Sequence, residues 1–165
     1  MNTSSPHITQ LAPDEVFVFG SNLAGIAGAG AAAYAHKHFG AQMGVGSGPT
    51  GRCYAIPTKS DEIQTLPLGA ILPYVQEFVR YTYTQPKQRF LVTALGTGLA
   101  GIPTQEIAPM FFHSPNGWVK IPDNIFLPET FWSAMQEFPD FDLYKDGRTG
   151  TDLEEDEEAG DKFAS

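Results

Sequence analysis

The apolar residues of this chain fall into two alternating rhythms. Glu15-Val-Phe-Val-Phe19 is β-branched and aromatic, which predicts a strand. Cys53-Tyr-Ala-Ile-Pro57 predicts a second strand. Phe90-Leu-Val-Thr-Ala-Leu95 is nearly continuous in apolar residues, as in a parallel strand covered on both faces. Between these runs the spacing turns helical. Ala31 to Phe39 is alanine-rich, with Gly40 at the usual stop position. Ile71, Val75, Phe78, Val79 and Thr82 keep helical intervals in a helix starting between Leu68 and Pro73, where a proline is tolerated in the first turn.

The remaining segments carry weaker signals. The glycine-rich stretch Ala41 to Gly51 predicts a loop, and Thr104 predicts the cap of a short helix running to about Phe112. Trp118 to Phe138 predicts an edge strand followed by a short helix around Glu129 to Met135. Strands alternating with helices imply an α/β fold of three layers (α/β/α), with a mixed, largely parallel central sheet. Ligands in such folds bind beyond the carboxyl ends of the strands, where the glycine loops of this chain lie.

The length of 165 residues suits one domain. The expected division is a loose, polar lead-in over residues 1–14, the domain over 15–139 and a tail over 140–165. Charge sharpens that picture. The net charge is −9, but residues 140–165 hold ten acidic and three basic residues, so the body is close to neutral. The tail is expected to be disordered. A neutral body argues against a duplex nucleic-acid binder, which needs clustered Lys and Arg. A single cysteine, Cys53, excludes a disulfide scaffold, and no apolar run is long enough to span a membrane. The opening MNTSSPHITQLAP carries no signal-peptide pattern, so a reducing, cytoplasmic compartment is expected.

Three constellations bear on chemistry. The first is Gly20-Ser-Asn-Leu-Ala-Gly-Ile-Ala-Gly-Ala-Gly30, a strand-to-helix turn whose bare backbone and helix N-terminus favour an anion such as a diphosphate. Tight packing of the loop against the sheet is the alternative. Asn22 is placed either to bond a sugar hydroxyl or to shape the loop as an Asx-turn. The second is Leu95-Gly-Thr-Gly-Leu-Ala-Gly-Ile-Pro103, again glycine-rich at a strand end. Two such loops on neighbouring strands make a cleft walled by backbone. The third is Lys59, after the strand ending at Pro57: a nucleophile, a phosphate contact, or an ordinary exposed lysine.

Other features lead away from known motifs. Gly28-Ala-Gly30-Ala-Ala-Ala33 starts too far after its strand for a dinucleotide fingerprint, and no acidic residue follows at the required distance. His36 and His38 are two apart on a helix, and His7 and His113 lack partners at ligand spacing. Neither a metal nor a cofactor is expected.

The three segments FGSNLAGIAGAGAAAYAHKHFGA (Phe19–Ala41), YAIPTK (Tyr54–Lys59) and VTALGTGLAGIP (Val92–Pro103) resemble, in that order, the macrodomain superfamily of ADP-ribose-binding modules. The likeness is closest to the branch of terminal ADP-ribose protein glycohydrolases and to small macro-like proteins of phages and bacteria. It covers about Glu15 to Pro128. The resemblance implies an α/β/α macrodomain fold whose ligand is ADP-ribose, or an ADP-ribosyl group on a modified macromolecule. Ser21, Asn22, Leu23, Gly28, Ala29, Gly30 and Ala31 would wrap the distal ribose and part of the diphosphate. Thr97, Gly98, Leu99, Ala100, Gly101 and Ile102 would close the pocket from the other side. Lys59 falls at the position of that branch's catalytic lysine nucleophile. Ala100 stands where the branch carries the aspartate that resolves the covalent intermediate, and the residues that read adenine are reduced to Asp14-Glu15.

Two further readings stay open. One is a non-catalytic binder, such as a sponge for a nucleotide-derived signal. The other is an interaction protein whose glycines serve packing and whose tail recruits a partner.

Overall fold

The computed structural model describes residues 1–114, 117–138 and 141. Of the expected tail over 140–165, all but Phe141 lies outside the described residues. The architecture is three-layered, α/β/α, around a mixed sheet of six strands that is mostly parallel. In chain order the strands are β1 (Thr3–Ser4), β2 (Glu15–Asn22), β3 (Gly48–Thr50), β4 (Cys53–Lys59) and β5 (Arg89–Val92), with β8 (Ile125–Pro128) completing the sheet. A two-stranded ribbon, β6 (His113–Ser114) with β7 (Gly117–Trp118), stands apart. The sheet order is β1-β8-β5-β2-β4-β3, and only β3 runs antiparallel to its neighbour. The helices are α1 (Gly30–His38), α2 (Leu68–Tyr83), α3 (Thr104–Ile107) and α4 (Glu129–Met135).

Alternation along β2 and β4 builds the two faces. Successive strand residues point to opposite sides. Val16 and Val18 join Tyr54 and Ile56 in the larger core, with Ile71, Val75 and Phe78 of α2 and Phe131 of α4. Phe17 and Phe19 join Cys53 and Ala55 on the other face, against Ala35 of α1 and Phe39. Burial of the Cys53 thiol pushes its pKa up to about 12, in keeping with a small buried strand residue. The larger core also takes in Phe141, whose ring meets Phe112 and Trp132.

Several local expectations are corrected. The lead-in is tied down. Ser4 is buried and its hydroxyl donates to the Val92 carbonyl at 2.6 Å, while Leu127 N–H and the Trp132 indole both donate to Asn2 O. Strand β8 is therefore internal, because β1 caps the edge beside it. The glycine-rich stretch contains β3, an outer strand that accommodates Pro49. Pro73 lies past the first turn of α2, inside the helix, whose N-cap is Pro67. Thr104 makes no capping hydrogen bond. Pro103 occupies the cap position, and the helix tightens after Ile107 into a 3-10 turn over Ala108–Phe112. Strand β5 ends at Val92, three residues earlier than expected; the Thr93 amide makes the last bond to β2, at Val18 O, and the Thr93 hydroxyl donates to the same oxygen.

Candidate functional site

The topology opens a crevice over the end of β2. Its chain passes to α1 on one face of the sheet, whereas the chains leaving its neighbours β4 and β5 pass to helices packed on the other face. Loops that diverge in this way leave the strand ends uncovered, as at the switch point of any doubly wound sheet. A cavity of about 540 Å³ fills that crevice, and both glycine loops line it. Its floor is Gly20, Thr58 and Thr93–Gly96, its walls residues 28–32 and 98–100.

The glycines of the first loop and of the stretch packed against it divide into two kinds. A Cβ at Gly25 would collide with the backbone of Gly44 and Val45, and one at Gly46 with the carbonyls of Asn22 and Leu23. These glycines let two backbone segments touch, and the Ser21 hydroxyl reinforces the seam by donating to Gly46 O. Gly28 and Gly30 have open space where a Cβ would stand, as does Gly98 in the second loop. There the missing side chains leave room for something outside the chain.

Helix α1 begins at this open stretch. Gly30 takes φ +61°, no side chain caps the helix and its first turn holds no acidic residue. The amides of Gly30, Ala31 and Ala32 have no acceptor within the helix, and the helix dipole adds partial positive charge there. Lys59, at the end of β4, lines the same cavity, makes no ion pair among the described residues and is the one charged side chain among the residues lining it. An anion is the ligand chemistry that this wall suits.

Most expected site residues meet here. Ser21, Asn22, Gly28, Ala29, Gly30, Ala31, Lys59, Gly98, Leu99 and Ala100 all line the cavity. Leu23, Thr97, Gly101 and Ile102 do not. Leu23 faces out and its amide donates to Lys59 O, Thr97 folds back on Ala94 O, and Ile102 is buried in the larger core. The Asn22 side chain clasps its own loop, donating to Ile26 O at 2.8 Å and accepting from Ile26 N–H. Its amide group therefore shapes the loop. Asp14 and Glu15 stand at the opposite end of β2 from the cavity. A bidentate pair with Arg89 holds Asp14 and lowers its pKa, and Glu15 accepts from Ala12 N–H. Asp61 and Glu62, the carboxylates nearest Lys59 in sequence and so candidates to stand in for the missing aspartate, are exposed and do not line the cavity.

No family model, curated protein or solved structure matches the chain. No helix among the described residues is long and apolar enough to cross a membrane.

Four lining residues carry no signal of their own in the sequence. Ile26 lies inside the first glycine segment without a signal of its own. Thr93 and Ala94, at the end of an apolar run, read as strand. Ile63 comes from the turn after β4 and nothing in Ser60-Asp-Glu-Ile-Gln64 marks it.

A second cavity, of about 870 Å³, adjoins the first. The two share Gly30, Ala31, Thr93 and Ala94, so they meet at the first turn of α1. Lead-in residues 3–9, Phe17, Tyr34 and the start of α4 with Glu129 wall the second cavity, and the Tyr34 hydroxyl fastens the lead-in by donating to Thr9 O at 3.1 Å.

Proposed function

We propose that the crevice binds ADP-ribose, or an ADP-ribosyl group carried by a macromolecule, in the manner of a macrodomain. The observation that carries this reading is the meeting of two cavities at an uncapped helix N-terminus, with one lysine lining the first cavity. A diphosphate with a sugar on one side and a nucleoside on the other suits that layout: the anion lies at Gly30–Ala32, one sugar in the glycine-walled cavity and the nucleoside beside Phe17 and Tyr34. Calorimetric titration of the full chain with ADP-ribose tests it. Saturable binding with a raised melting temperature is expected. No heat and no thermal shift at millimolar ligand would refute the proposal.

Binding without turnover is the reading that the site favours. Lys59 is within the cavity and supplies an amine for capture of an anomeric carbon. Ala100, in the place of the resolving aspartate, also lines it, and no described carboxylate does. A lysine adduct would therefore lack a general base among the residues lining the first cavity, since Glu129 lines only the second. Mass spectrometry of the chain after incubation with an ADP-ribosylated protein separates the cases: unchanged substrate fits a binder, and Lys59-dependent release of free ADP-ribose fits a hydrolase.

A further inference from the structure

The turn after β4 holds the one residue other than glycine with positive φ among the described residues. Ile63 sits at φ +63°. A β-branched side chain in the left-handed region is a true outlier, and such strain persists only where the surroundings impose it. Here the imposing contacts are visible. Ser60 N–H donates to Gln64 O at 2.7 Å, Ile63 N–H donates to Ser60 O, and the Ser60 hydroxyl accepts from the amides of Glu62 and Gln64. Lys59 and Thr65 close the turn in an antiparallel bridge. The Thr65 hydroxyl then reaches across to the second glycine loop and donates to Ala100 O at 2.8 Å.

The strained position does not bury Ile63 in the core, since it remains 45% exposed. It does bring the side chain to the cavity, which Ile63 lines together with Ile26 and Leu99. Those two are also among the large exposed hydrophobic side chains, at 54% and 81%. Three loops thus each hold one solvent-facing aliphatic side chain at one cavity, in a wall otherwise made mostly of glycine, alanine and backbone. Isolated exposed apolar residues are ordinary, but convergence on one opening is not explained by folding.

The geometry points to an aliphatic clamp in which Ile63, positioned by a strained turn, closes with Ile26 and Leu99 on the apolar face of the ligand's terminal sugar and so sets specificity for it. This inference rests on the nucleotide-sugar reading above and deepens it. The clamp acts on the group beyond the diphosphate, so it should distinguish ADP-ribose from ADP, which lacks that group. Removing a half-exposed aliphatic contact should weaken binding by about tenfold.

The test compares ADP-ribose and ADP by calorimetry on the full chain and on Ile63→Gly and Leu99→Ser. The wild type should prefer ADP-ribose. Ile63→Gly should weaken ADP-ribose binding by about tenfold and leave ADP within about twofold, while relief of the left-handed strain raises the melting temperature by a few degrees. Leu99→Ser should reproduce the affinity change with no thermal change. If the wild type prefers ADP-ribose but both variants keep that preference, the clamp is wrong and the nucleotide reading stands. Equal loss for both ligands in both variants also overturns the clamp. If the wild type binds neither ligand, the nucleotide reading falls and the clamp falls with it.

Discussion

Gly25 and Gly46 on one side, and Gly28, Gly30 and Gly98 on the other, are the same residue used for opposite ends. The first two sit in a seam where backbone presses on backbone, and a single added methyl has nowhere to go. The others face open space at the end of a parallel sheet, beside an uncapped helix and a lysine. Counting glycines in the loop does not separate these uses. The lesson is that a glycine-rich loop is evidence for a ligand only at the positions where the absent side chain leaves solvent rather than protein.

The comparison fails or sharpens under substitution. The largest effect is expected in the seam. Gly46→Ala or Gly25→Ala should cost about 3 kcal/mol or more, because the obstructing atoms are backbone and cannot swing aside. At this chain length that corresponds to a melting temperature lower by roughly 6–12 °C, read by thermal denaturation. Gly28→Ala and Gly98→Ala should leave stability within about 0.5 kcal/mol yet weaken ADP-ribose binding by about tenfold, a cost of about 1.4 kcal/mol. Equal thermal losses in seam and wall would erase the distinction between them.

Lys59→Ala is expected to weaken binding by a few-fold to about tenfold and to flatten its dependence on salt, since the one positive side chain lining the first cavity is removed. Its melting temperature should not move, because Lys59 makes no ion pair among the described residues. The smallest effect lies away from the cleft. Burial lowers the pKa of His113, whose Nδ1 lies 3.1 Å from the Gln76 side-chain nitrogen. The unfolded chain therefore binds the proton more readily than the folded one. Stability should fall as pH drops through about 6.5 toward the lower folded value. His113→Gln should reduce that slope in denaturant titrations between about pH 7 and 5, with ADP-ribose affinity at neutral pH unchanged.

Much of the frame was legible in the residues. The alternation Val16-Phe17-Val18-Phe19 distributes side chains to two faces, and both faces are filled as a covered parallel strand requires. The spacing of Ile71, Val75, Phe78 and Val79 selects the buried side of α2. The two glycine segments were placed at neighbouring strand ends, and β2 and β5 do pair in parallel. What escaped detection depends on distant partners. Thr3–Ser4 has no apolar pattern and becomes a strand only because β8 offers it a ladder. Thr104 has a capping side chain, but Pro103 takes the position before the helix. Ile63 adopts a backbone conformation that its residue type disfavours, imposed by the bonds around Ser60 and Thr65. The two roles of the glycines were likewise invisible, because they depend on what lies opposite each one.

The most direct measurement is a structure of the chain grown with ADP-ribose. The account predicts density for a diphosphate against the amides of Gly30 to Ala32, with the terminal sugar between residues 28–30 and 98–100. A crevice that stays empty at saturating ligand, or density lodged elsewhere on the surface, would contradict it.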